Sequence, residues 1–440
     1  MDTIPQVAHA MHTVLTTTAD LAGRQTGFVQ RESKVSGSIF TQTLVFGLLS
    51  HPKASLGNLT QTTAALGVDL TTEGLNNRFT PSAALCLEQV LTAALRTVIT
   101  TDPVAIPLLQ RFNGVYLQDS TTIVLPSSLR EVWSGCGGST DDHGAAALKV
   151  QLQLDLAGGR LHGQLQEGRD SDRNSTLDSA LPAGAVRIAD LGYWDLERLA
   201  ELGRRGVYWL SRGHATTALQ TDDGRWWELR ALLEANADAA TLELPIHLGK
   251  SARVPARLLA VRVPQEVADQ RRRRLRASAR AKGETVSALR LALAAWTVFV
   301  TNIPAEQLTL DEAIVLGRAR WQIELIFKLW KSQGQVDELR DVKKWRVLCE
   351  LYAKLLGQIV QHWLVLVSCW QDAARSLSKA AQTIQLQVMG LAKAMGKRAR
   401  LVEEITSLAR CIAAGCRIDR RKKHPNTYQR LLDVTEGVLA

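Results

Sequence analysis

The 440-residue sequence lacks any apolar run long enough to cross a bilayer. Its most apolar stretch, LLGQIVQHWLVLVSCW from Leu355 to Trp370, is interrupted by Gln358, Gln361 and His362. It is also shorter than the roughly 20 apolar residues a spanning helix needs, so it predicts a buried core helix. The N-terminal segment MDTIPQVAHAMHTVLTTTADLAG has neither a positively charged start nor a continuous apolar centre, and no signal peptide is expected. Cysteine is scarce, with Cys86, Cys136, Cys349, Cys369, Cys411 and Cys416 the only six. That excludes a disulfide framework, and no second cysteine pair accompanies Cys411 and Cys416 to complete a zinc site. Reduced thiols and a cytoplasmic, nucleoid-associated location are expected. There is no glycine-rich phosphate loop, hence no expected nucleotide cofactor. The nine histidines are scattered, which argues against histidine-based nucleophilic catalysis, and no internal repeat is visible.

What the chain does carry is positive charge: a net +10 with an isoelectric point near 9.5. Such an excess points to a polyanionic partner, nucleic acid or an anionic membrane surface, and the lack of a spanning or anchoring segment favours nucleic acid. The arginines from Arg271 to Arg280 with Lys282, the cluster from Lys393 to Arg400 and that from Arg417 to Lys423 are DNA contacts or solvated helix faces.

The patterning divides the chain into five regions. Residues 1–105 read as helical. Within them Leu56, Leu59 and Leu66 share a stripe, Gly67 ends that helix, and Thr72 caps a second helix running to about Phe79. Helix, glycine turn and helix form the pattern of a helix-turn-helix or of a plain bundle segment. Residues 106–214 turn to strands, with FNGVYLQDSTTIVLP, a hairpin joined at Ala157-Gly158-Gly159, AVRIADLGYW and GVYWLSR. Residues 215–285 carry further strands, TLELPIHL and RLLAVRV, followed by the first basic run. Residues 286–345 contain the strand WTVFVTNIP and a long helix from about Thr309. Residues 346–440 are helical. Strands followed by alternating helices and strands predict an α/β fold with a mixed sheet covered by helices.

Three acids stand out. Asp119 lies in an otherwise neutral strand, where a carboxylate is disfavoured unless something stabilises it. Asp190 ends the run containing Ile188, before a glycine turn. Glu324 lies among bulky apolar residues in RWQIELIFKLWK. At about 100° per residue, Arg320, Glu324, Lys328 and Lys331 share an arc of about 80°, and apolar residues fill most of the remaining circumference. This predicts a helix buried on most sides, its polar stripe either a row of solvated i,i+4 pairs or part of a site. Carboxylates gathered from separate elements repel one another unless a divalent cation is present. Hard oxygen donors suit Mg²⁺ or Mn²⁺, and two such ions are the machinery of phosphodiester displacement.

These segments, YLQDST, IADLGYWD, VFVTNIP and RWQIELIFKLWK, resemble in order those of the DDE transposases of bacterial insertion sequences, the family numbered four. RFTPSAALCLEQVL resembles the family's N-terminal region. The resemblance covers roughly residues 50–365. It implies a ribonuclease H-like core with a β-rich insertion between helical ends, and Asp119, Asp190 and Glu324 as a catalytic triad binding Mg²⁺ or Mn²⁺, two ions in all. It implies double-stranded DNA, both transposon ends and target, as the partner, with a homodimer in the synaptic complex. In the family's Tyr-Arg-Glu-Lys signature, Arg320, Glu324 and Lys331 match, whereas Gly317 stands in the tyrosine position. Trp296 matches an aromatic that stacks on a flipped base in relatives, or else is a core tryptophan beside Val298 and Val300. Arg212 matches a basic DNA-contacting position. The function implied is cutting at terminal inverted repeats and joining of 3′ ends to target DNA; a decayed transposase that only binds DNA is the alternative.

Overall fold

The computed structural model describes residues 3–136, 144–281, 283–339, 343–418 and 425–436. Lys282 and most of the basic cluster ending at Lys423 lie outside the described residues. The described chain is a mixed α/β protein with ten strands: β1 (Val115–Leu125), β2 (Ala146–Asp155), β3 (Leu161–Glu167), β4 (Val186–Ala189), β5 (Tyr208–Arg212), β6 (Leu219–Thr221), β7 (Trp226–Trp227), β8 (Thr241–Leu248), β9 (Val254–Arg262) and β10 (Trp296–Thr301). It divides into two compact units, each built from discontinuous segments. The first contains residues 1–105, 119–177 and 322–425; the second contains 106–118, 178–321 and 426–440.

In the first unit the helix Lys344–Leu366 is the organising element, buried at every position from Val347 to Leu366. It packs on the helices Gly37–Ser50 and Pro81–Arg96. The glutamines that interrupt its apolar run are buried with it, as expected of a core helix, and among the described residues no helix is long and apolar enough to cross a membrane. The hairpin β2–β3 pairs antiparallel from Leu148↔Glu167 to Leu154↔Leu161, and its turn holds Gly159 at φ 72°. Only glycine adopts that conformation cheaply, and an added Cβ would lie 2.5 Å from Leu366. At this close approach the buried His362 Nε2 bonds the Gly159 carbonyl at 2.7 Å, while Trp370 Nε1 donates to the Ala157 carbonyl at 3.2 Å.

Of two N-terminal helices, the first ends as the sequence predicts and the second does not. The helix Leu56–Ala65 does end before Gly67, at φ 85°. The next is capped by Thr71 rather than Thr72 and spans only Thr72–Asn76, because Asn77 begins a turn and the Thr80–Pro81 step nucleates a separate helix, Pro81–Arg96. The long helix expected from Thr309 is likewise two, Leu310–Arg318 and Trp321–Ser332, with Gly317, a weak helix former, just before the break.

In the second unit the strand order is β1-β4-β5-β10-β9-β8-β6-β7, β1 contributing Val115–Gln118. The pairs β1–β4 and β4–β5 are parallel. Their short runs VYLQ, VRIA and YWLS are buried on both faces, the pattern expected of parallel strands covered by other elements. From β10 onward the pairing is antiparallel, so the strands of the expected insertion extend the same sheet through β9–β10. A core around Trp194, Trp209, Leu202, Leu232 and Leu258 lies against it. Thr301 and Asn302 lock β10 to β5: Thr301 Oγ1 donates to the Trp209 carbonyl at 2.6 Å, Asn302 Oδ1 accepts the Trp209 N–H at 2.7 Å, and Asn302 Nδ2 donates to the Val207 carbonyl at 3.1 Å.

Arg187 of β4 and Asp178 form an ion pair at 2.8 Å with side chains only 4% and 3% exposed. Arg187 Nε also donates to Oε1 of the fully buried Gln118 at 3.0 Å. Removing one member of such a pair strands a charge in the interior. Asp178→Ala is therefore expected to cost about 3–5 kcal/mol in denaturant unfolding, against less than about 1 kcal/mol for Glu234→Ala in the exposed pair Arg230–Glu234. Equal losses would contradict this reading.

His362 gives a second test. Burial pushes its pKa down from 6.5 to about 4, with Arg375 acting in the same direction and the bond to Gly159 against it. Between these values the unfolded chain takes up a proton that the folded chain refuses. Stability is therefore full above about pH 6.5 and falls as the pH drops towards 4, by about 3 kcal/mol in all. His362→Gln should flatten that part of the stability–pH profile, whatever its effect at pH 7.

Candidate active site and basic cavity

Two of the candidate acids directly follow paired strand residues. The parallel register of β1 and β4 runs from Val115↔Val186 to Gln118↔Ala189, and in each strand's sequence the next residue is an acid: Asp119 after Gln118, Asp190 after Ala189. Side chains alternate across a strand, so Asp119 projects from the face opposite Gln118, and Asp190 from the face opposite Arg187. Asp119 is half-buried and accepts the Ser120 N–H on Oδ1 at 2.8 Å. Asp190, also half-buried, leaves the strand and caps a single 3₁₀ turn by accepting the Gly192 N–H at 2.8 Å. The carboxyl ends of parallel strands are where α/β sheets place their ligands.

Glu324 is half-buried in the first turn of the helix Trp321–Ser332. That helix buries Ile323, Ile326, Phe327 and Trp330. Trp321 and Leu325, expected to be enclosed, are 45% and 36% exposed, so the helix is buried on one face rather than on most sides. Arg320 falls in the turn before the helix, so it does not share a continuous helix with Gly317. Lys331 lies in the last turn, half-buried. Asp119 and Glu324 belong to the first compact unit and Asp190 to the second. Among the described residues no group of three or more His, Cys, Asp or Glu side chains gathers as a metal site.

Gly317, in the signature's tyrosine position, is buried in the helix Leu310–Arg318. A Cβ there would lie 2.4 Å from Cε1 and Cζ of Phe299 in β10. No side chain fits unless Phe299 moves, so the departure from the signature is matched by a ring already filling the space.

The second unit holds a cavity of about 750 Å³. Arg212, at the end of β5, lines it together with Trp296, at the start of β10. Two residues of the basic run, Arg271 and Arg274, line it from the helix Gln265–Ala281, and Arg290 and His214 also line it. Arg271 is anchored by bonds from Nη1 to the Trp296 carbonyl at 2.9 Å and from Nη2 to Thr297 Oγ1 at 3.1 Å. Burial, then the neighbouring cations Arg212 and Arg318, hold its pKa below the usual guanidinium range; it remains a cation. Trp296 itself is 8% exposed and belongs to the core, with the Arg262 guanidinium 5.9 Å from its ring centroid. Resemblance to the family singled out Arg212 and Trp296. It missed Arg271, Arg274, Arg290 and His214 as their neighbours; the signal available was the three-residue spacing of Arg271 and Arg274, which puts both on one helix face.

Residues 110–357 match the family model described as Transposase DDE domain. The chain is 28% identical over 359 residues to the transposase for insertion sequence element IS231F of Bacillus thuringiensis subsp. israelensis, covering 76% of this chain and 74% of that protein. It is 29% identical over 356 residues to the transposase for IS231C of Bacillus thuringiensis subsp. berliner, with the same coverage. It is 24% identical over 366 residues to the transposase for IS1151 of Clostridium perfringens, covering 78% of this chain and 76% of that protein. The family model spans more than half of the sequence, including all three acids and both strands that lead to Asp119 and Asp190: the chain belongs to the DDE transposases of bacterial insertion sequences.

Proposed function

We propose that this transposase binds the terminal inverted repeats of its element, cleaves the DNA at the element ends and joins the 3′ ends to target DNA. The observation that carries this reading is the pair of acids directly following the parallel register Gln118↔Ala189, inside the matched DDE region. The fold assignment that goes with it is a ribonuclease H-like core, supported by the parallel set β1-β4-β5.

Asp119, Asp190 and Glu324 are the proposed metal-binding and catalytic triad. Family membership implies divalent-metal dependence. The donor chemistry fits a hard cation, since the three donors are all carboxylates, without a thiol or imidazole to select a softer metal. Mg²⁺ or Mn²⁺, as a pair of ions, would supply Lewis acidity for both hydrolysis of the end and attack by the freed 3′ hydroxyl.

The remaining residues hold the DNA. Arg320 and Lys331 are assigned to the phosphates of the cleaved end, where charge-assisted bonds fix the strand. Arg212 lines the basic cavity with Arg271 and Arg274, a placement suited to phosphates beside a nucleotide. Trp296 forms part of the cavity wall with the apolar side chains of Leu289 and Leu293, which a base entering there would meet. Phosphate contacts of this kind make binding salt-dependent. Synapsis of two ends calls for a homodimer on DNA.

Glu324→Gln removes the carboxylate charge while keeping the shape of the side chain. It is expected to abolish Mg²⁺-dependent cleavage of a duplex carrying the element's terminal sequence, a loss of at least about a hundredfold, while leaving affinity for that duplex within about twofold. Cleavage persisting in this variant would refute the triad.

A further inference from the structure

The first unit places an unusual polar stripe behind Asp119. Strand β2 is buried along its whole length, yet every second residue of its central part is polar: Lys149, Gln151 and Gln153, at 8%, 0% and 1% exposure. A lysine in such a strand is disfavoured unless its charge is compensated. Its compensation comes from the loop after β3. Lys149 Nζ bonds the Asp170 carbonyl and pairs with Asp172 Oδ1 at 3.1 Å.

That one carboxylate oxygen collects two more donors, Gln151 Nε2 at 3.1 Å and Ser120 Oγ at 2.9 Å. Ser120 in turn donates its backbone N–H to Asp119 Oδ1 at 2.8 Å. The bonds therefore form a continuous path: Lys149 and Gln151 fix Asp172, Asp172 fixes the Ser120 hydroxyl, and Ser120 presents a donor to the Asp119 carboxylate. Because successive side chains of β1 alternate, the Ser120 hydroxyl and the Asp119 carboxylate leave opposite faces of the strand. The network restrains the strand from behind without occupying the space in front of Asp119.

We propose that Asp172, charge-balanced by Lys149, is a positioning residue that sets the orientation of the Asp119 carboxylate through Ser120. The pair Lys149–Asp172 carries no net charge, so its contribution is geometric rather than a field acting on the DNA. Carboxylates that hold a metal depend on the hydrogen-bonding shell behind them, and changes in that shell cost about 10–100-fold in metal affinity or activity. This inference rests on the reading of Asp119 as a metal-binding acid.

The test is made on the full-length chain with the terminal-sequence duplex, following cleavage against MgCl₂ concentration. Ser120→Ala cuts the path without stranding Lys149. It should raise the half-saturating Mg²⁺ or lower the cleavage rate by about tenfold, with unchanged duplex affinity and a thermal midpoint within a few degrees of the parent. Ser120→Thr, which restores the hydroxyl in a strand-compatible residue, should recover most of the loss. Asp172→Asn should reproduce the Ser120→Ala phenotype when its rate is normalised to folded protein. Wild-type Mg²⁺ dependence in Ser120→Ala, failure of Ser120→Thr to recover, or a loss that merely tracks the unfolded fraction would each overturn the proposal. Asp119→Asn serves as the reference: if it still cleaves, the triad reading itself has failed, whereas an inactive Asp119→Asn beside a normal Ser120→Ala rejects only the positioning role.

Discussion

Arg187 and Asp178 sit 2.8 Å apart in the interior, and almost none of either side chain reaches water. Such a pair seldom stabilises a protein relative to apolar residues of the same size, so its value here is better sought in what it fixes. Arg187 belongs to β4 and reaches Gln118 of β1 as well as Asp178; its guanidinium also lies 5.6 Å from the Tyr193 ring centroid, in the turn capped by Asp190. A slip of one residue between β1 and β4 would turn Gln118 to the other face and leave the guanidinium without its amide partner. The register Gln118↔Ala189 is therefore enforced by polar geometry, where an all-apolar parallel pair would tolerate sliding. The consecutive placement of Asp119 and Asp190 after that register depends on it.

The basic surplus and the acidic candidates use opposite strategies. Arg212, Arg271, Arg274 and Arg290 line one cavity, and Arg271 is held to the Trp296 carbonyl and Thr297 Oγ1 rather than to a carboxylate. Cations clustered in this way repel one another, and an approaching polyanion relieves such repulsion. Part of the run is neutralised internally: Arg272 bonds Asp269 and the Leu291 carbonyl. The run thus divides between arginines that line the cavity, Arg271 and Arg274, and Arg272, which is bonded internally. Helical spacing assigns its members different duties.

How much of this was legible beforehand follows the range of the interactions. The strand around Asp119, the turn after Asp190 and the buried helix through His362 could be read because alternation, glycine and a long apolar run are local signals. The break between Arg318 and Trp321 escaped detection because no proline marks it. Trp321 and Leu325 were misplaced because hydrophobicity does not say which face of a helix has a neighbour. The cap at Thr71 rather than Thr72 is a choice between adjacent, chemically identical caps. Asp178 and Asp172 gave no signal at all: each is an ordinary acid in a short 3₁₀ turn, and its partner, Arg187 or Lys149, is a strand residue that no local pattern pairs with it. Conversely, the Thr301–Asn302 pair stood out by resemblance, and the structure supplies its physical reason, a clamp of three hydrogen bonds between β10 and β5.

Gly317 shows why a departure from a family signature has to be weighed with its neighbours. Taken alone, glycine in place of an aromatic reads as a lost contact. In the fold, the Phe299 ring lies where any side chain at 317 would begin, and Phe299 is paired in register with Arg212 on β5. The aromatic bulk is thus supplied from the strand instead of the helix. A phenyl ring has no hydroxyl to offer a phosphate, so Phe299 fills this volume without supplying a phenol's hydrogen bond. A tyrosine at 317 and the phenylalanine at 299 would compete for one volume.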